Sequence, residues 1–100
     1  MIEIFKGNTL LRTIETKQTF NKGDEFHITI FKLGADNPCY TNVIEVPGEQ
    51  SSVQLEIPAN VTKNFQCVNL ILDITLITKS GYVKTNQYKL IVKSRCLNGQ

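Results

Sequence analysis

The chemistry open to this chain is limited by its one histidine, three cysteines and nine acidic residues. A serine or cysteine nucleophile needs an imidazole within hydrogen-bond reach. The only imidazole, His27, stands in an alternating run between Phe26 and Ile28, where a packed or surface strand residue is expected. Glycosidase-type chemistry needs two acids converging in a cleft, but the acids here are scattered over turns and outward strand positions. Asp73 attracts notice inside "LILDITLITKSGYVKTNQYKLIVK". Period two puts it opposite the Leu70-Leu72-Ile74 face, which reads as scaffold. Neither GxxxxGK[ST] nor GxGxxG occurs, so no phosphate cradle is indicated. Lys22-Gly23-Asp24-Glu25 and Gly34-Ala35-Asp36-Asn37 are acid-bearing loops that could join a calcium site. Calcium, however, wants about six or more oxygens together, so turn chemistry is the expectation for both.

Cys39, Cys67 and Cys96 are odd in number and lack CxxC spacing. Structural zinc takes four ligands, usually in close pairs. No metal, cofactor or catalytic residue is therefore expected. The thiols are read as reduced and partly buried, with a Cys39–Cys67 bridge left open for an oxidising setting. Asn60-Val61-Thr62 matches a glycosylation triplet and is read as chance or as an N-terminal helix cap. The start, Met1-Ile2-Glu3-Ile4-Phe5-Lys6, lacks the features of a signal peptide, and synthesis in the cytoplasm is expected. No apolar run approaches the roughly 20 residues of a membrane helix.

Net charge is +2 but uneven: no acid follows Asp73, while Lys79, Lys84, Lys89, Lys93 and Arg95 do. Such a basic edge could attract nucleic acid or an acidic partner. Lysines on an outer strand also serve simply to prevent edge-to-edge aggregation. Tyr82, Lys84, Tyr88 and Lys89 place aromatics near lysines as a stacking platform would. The plainer expectation is a strand with core-facing tyrosines and solvated lysines, and nucleic acid is not the expected partner. The Gly34–Tyr40 loop, with Asp36, Asn37 and Tyr40, is the other candidate interaction segment.

The elements that must position these residues are strands. Turn chemistry separates runs of period-two alternation. Ile2–Lys6 closes on Gly7-Asn8, and Leu10–Thr19 closes on Asn21-Lys22-Gly23-Asp24. Glu25–Leu33 follows, then the loop Gly34–Pro38, then Thr41–Val46 and the turn Pro47–Ser51. Ser52–Ile57 stops at Pro58, which cannot donate to a ladder. Ala59–Phe65 has room for one helical turn. Val68–Thr78 and Tyr82–Lys93 flank the hairpin turn Lys79-Ser80-Gly81. In the last run Val83 is out of phase with Tyr88, Leu90 and Val92, so a β-bulge near Asn86-Gln87 is expected. Seven strands at roughly ten-residue spacing predict an all-β, Ig-like antiparallel β-sandwich, a small barrel being second. One domain over residues 1–94 is expected, with a frayed tail at 95–100.

Three stretches resemble the Ig-like N-terminal domain of phage baseplate and tail-fibre proteins. "NKGDEFHITI" is similar to the family's glycine–aspartate turn leading into an alternating strand. "VQLEIPANVTKNF" is similar to its strand and short threonine-bearing turn. "LILDITLITKSGYVKTNQYKLIVK" resembles its closing hairpin. The likeness covers roughly residues 19–94. It implies a non-enzymatic virion module of a host-recognition apparatus, docking to other phage structural proteins as a homo-oligomer or larger assembly. The alternative is a small phage-encoded intracellular inhibitor that sets its basic C-terminal strand against an acidic or nucleic-acid-binding partner.

Overall fold

Alternation at period two gives each strand one apolar and one polar face, so the apolar faces must be buried against another layer. The computed structural model describes residues 1–65 and 69–94 and shows how this is done. Its strands are β1 (Ile2–Phe5), β2 (Leu10–Phe20), β3 (Glu25–Phe31), β4 (Tyr40–Glu45), β5 (Gln50–Ile57), β6 (Asn69–Ile77) and β7 (Val83–Lys93). One helical turn, α1 (Ala59–Thr62), precedes β6. A five-stranded sheet in the order β1-β7-β6-β3-β4 faces a two-stranded sheet of β2 and β5. The fold is a two-layer β-sandwich.

The core follows the predicted phases. Phe26, Ile28 and Ile30 of β3 meet Leu70, Leu72, Ile74 and Leu76 of β6, and Val53, Leu55 and Ile57 of β5 close over them. Phe20 and Phe26 pack edge to face, ring centres 4.7 Å apart at 89°, the arrangement that ring quadrupoles favour. The buried Thr62 hydroxyl donates to Asn8 C=O at 2.7 Å, tying α1 to the β1–β2 turn.

Several expectations are corrected. β7 carries no bulge: its register with β6 runs unbroken from Ile77 opposite Val83 to Asn69 opposite Ile91. Val83 faces solvent, 59% exposed, and Lys84 and Asn86 occupy the inner side where no opposing strand covers them. The register break lies instead in β2, between Glu15 and Phe20. β3 ends at Phe31, leaving Leu33 exposed in the following loop. β5 begins at Gln50, inside the expected turn. β4 begins at Tyr40 and ends at Glu45, and Val46, though buried, lies just beyond it.

The helix cap position is Pro58, with no side-chain bond, and Asn60 lies inside α1. Cys39 is exposed and free. Cys67, Cys96, Val68 and the 95–100 tail lie outside the described residues. Among the described residues no helix is long and apolar enough to cross a membrane. One pairing went unforeseen: β1 runs parallel to β7, with Ile2 opposite Leu90 and Ile4 opposite Val92.

Leu72 is completely buried at the centre of the middle strand. Leu72→Ala is expected to cost about 2–5 kcal/mol, from lost transfer energy and the cavity left behind. Urea unfolding measures it, and a loss below about half a kcal/mol would contradict this strand phase.

Candidate functional site

One end of the sandwich is organised by a single carboxylate. The "NKGD" turn needs a residue that adopts positive φ, and Gly23 does so at +93°. A Cβ at Gly23 would also collide with the Lys79 side chain. Asp24 is buried, 5% exposed. Its Oδ2 accepts from Asn21 N–H at 3.0 Å and its Oδ1 from Lys79 N–H at 3.2 Å. Gly23 N–H donates to Val46 C=O, and Val46 N–H donates back to Asp24 C=O. The β2–β3 turn, the end of β4 and the β6–β7 turn therefore meet on this one residue. Both carboxylate oxygens accept backbone amides, the turn chemistry expected of Lys22-Gly23-Asp24-Glu25.

Beside this node the two sheets part around a cleft of about 390 Å³. Its floor is apolar: Phe20, Phe26, Val53, Ile74 and Leu76. Its rim is polar: Glu15, Thr16 and Gln18 from β2, and Lys84, Asn86 and Tyr88 from β7. The cleft exists because β2 leaves its register after Glu15. The Thr16 hydroxyl holds the displaced segment, lying 2.8 Å from Ser51 C=O and 2.9 Å from Gln18 C=O. Across the gap, Lys84 and Asn86 stand where a continuous core would need apolar side chains. An apolar floor with a few polar groups at the mouth suits an amphipathic molecule.

The residues singled out in the sequence do not converge. Lys84 and Tyr88 share the inner face of β7 and line the cleft, whereas Lys89, an odd number of residues away, lies on the outer face. Tyr82 is exposed beside the hairpin turn. Asp36 and Asn37 are exposed in the β3–β4 loop, and Tyr40 is half-buried against the core. Lys93 lies 2.8 Å from Glu3 on β1, and its ammonium holds that carboxyl below its ordinary value. The lysines of β7 are thus divided between two faces and do not form one basic patch. His27 is a surface residue of the outer face, 3.2 Å from the Glu25 carboxylate.

Two features escaped the sequence reading. Asn86 lines the cleft, and its signal in the sequence is the polar interruption of the inner phase of β7. The outer face of the large sheet also exposes apolar side chains: Phe5 at 46%, Val43 at 50% and Val83 at 59%. On the same face Asp73 stands between Thr29 and Gln87. Its Oδ1 is buried without a hydrogen-bond partner.

Asp24→Ala is expected to cost about 2–4 kcal/mol in urea unfolding, since it strands two amides of a charge-assisted pair of bonds. At the cleft, the apolar anion anilinonaphthalene sulfonate is expected to gain fluorescence on the native chain. Lys84→Glu should weaken that binding severalfold while leaving the unfolding midpoint nearly unchanged. Set against protein-family models, curated proteins and solved structures, the chain matches none of them.

Proposed function

We propose that this chain is a non-enzymatic, Ig-like interaction module. In its narrower form it is a structural domain of a phage baseplate or tail host-recognition apparatus, working in the virion through protein–protein contacts. The observation that carries the proposal is the solvent side of the five-stranded sheet. Phe5, Val43 and Val83 are exposed at separate points along it, on β1, β4 and β7, and among the described residues no second layer covers this face, which leaves it open to a partner.

The strand order supports the Ig-like form. β3, β6 and β7 stand as the C, F and G strands do, with β2 and β5 opposite as B and E. The resemblance of the Asn21–Ile30, Val53–Phe65 and Leu70–Lys93 stretches to phage baseplate domains supports the narrower reading. The inhibitor alternative needs one continuous basic surface, and the division of Lys84 from Lys89 and Lys93 disfavours it.

Mass spectrometry of phage particles purified from a host expressing the gene tests the narrower reading. Recovery of the chain in fixed ratio to tail proteins is expected, and its absence from the particles would overturn it. Nucleic-acid titrations across a salt series test the wider reading. No affinity is expected, and binding that falls steeply with salt would overturn it in favour of the basic-strand alternative.

A further inference from the structure

We propose that β4 is a self-pairing edge, which a second copy of this chain joins antiparallel to extend the five-stranded sheet across a twofold axis. This deepens the protein-contact reading above by naming the partner and the surface.

The backbone supplies the first argument. Val46 N–H donates to Asp24 C=O at 2.8 Å, and the register from Glu25–Glu45 to Ile30–Tyr40 is unbroken. Bonded positions recur every second residue along an antiparallel ladder. Ile44, Asn42 and Tyr40 therefore turn their amides and carbonyls toward β3. Thr41, Val43 and Glu45 turn theirs outward, at the edge of the sheet.

The side chains supply the second. Native edges are blunted by charged side chains, above all lysine, and by proline or bulges; Tyr40–Glu45 contains no lysine, no proline and no break in register, and its one charge, Glu45, stands at its end. β5, by contrast, shows solvent only polar side chains (Ser51, Gln54 and Glu56), so its open edge has little apolar surface to bury. β4 exposes half of Val43, and Leu33, in the connection at its Tyr40 end, is 80% exposed.

Charge selects the geometry. Glu45 already lies opposite Glu25 on β3, so a pairing that set two Glu45 side by side would add a third carboxylate. An antiparallel twofold with Val43 opposite Val43 avoids this, setting each Glu45 against the second copy's Thr41. It also keeps inner faces with inner faces, because directly opposed residues share a side of the sheet.

Sedimentation or light scattering over a concentration series tests the proposal. The expected result is a reversible species of twice the 11.3 kDa chain mass. Val43→Pro removes an amide that the monomer does not use, and it should weaken the dimer by about tenfold or more, the loss of roughly one good interaction. Val43→Lys places two cations across the axis and should do the same, should the proline variant fail to fold. Val43→Cys should oxidise to a dimer whose linkage maps to position 43 on both chains. The bonded-pair separation of about 5.5 Å is within disulfide reach. A chain that stays monomeric at every concentration would overturn the proposal, as would a dimer indifferent to both the proline and lysine variants. Neither result bears on recovery of the chain from particles, so the two readings fail separately.

Discussion

Two backbone amides, from Asn21 and Lys79, converge on the Asp24 carboxylate, and one end of the sandwich depends on that convergence. An ionised carboxylate that accepts amide protons in a buried setting is worth more than neutral turn bonds, and leaving those amides without it is correspondingly costly. The acid joins turns 55 residues apart in sequence, which keeps the β6–β7 hairpin seated on the β2–β3 turn. Gly23 permits the turn, because it adopts a positive φ that side chains disfavour.

With that end fixed, the mismatch between the layers determines what remains open. Two strands cannot cover five. β2 and β5 bury the middle of the large sheet, where Leu70, Leu72 and Ile30 are shielded almost completely. Toward the Asp24 end, β2 departs from its register and the inner face of β7 turns polar. The cleft is the space those two departures leave. Among the described residues no layer packs on the other side of the large sheet, and at β4 the ladder stops with its outward amides unpaired. A domain built this way has its core in one interlayer seam and leaves its open surface in what that seam does not cover.

Much of this was legible in the residues. The core phases of β3, β5 and β6 followed from alternation alone, because a strand's period fixes which side chains share a face. The turns at Gly23 and Gly81 followed from residues that tolerate positive φ. Of the residues named for the last strand, Lys84 and Tyr88 fall on one face. They line a cleft with Asn86, while Lys89, named with them, points the other way. The expected bulge in β7 misread a polar inner face as a slipped register. Alternation shows a change of polarity, not whether an opposing strand is present to require an apolar side chain there.

The chain by itself determined the number of strands, the phase of β3, β5 and β6, the all-β class and the positions of the tight turns, since these depend on neighbours in sequence and on local backbone sterics. Only the tertiary structure decided which strands are neighbours. The parallel union of β1 with β7, the carboxylate bridge from Asp24 to Lys79, the register break in β2 and the exposed edge of β4 all join or separate residues far apart along the chain. Their physical cause is long-range packing and hydrogen bonding, to which a local pattern is blind.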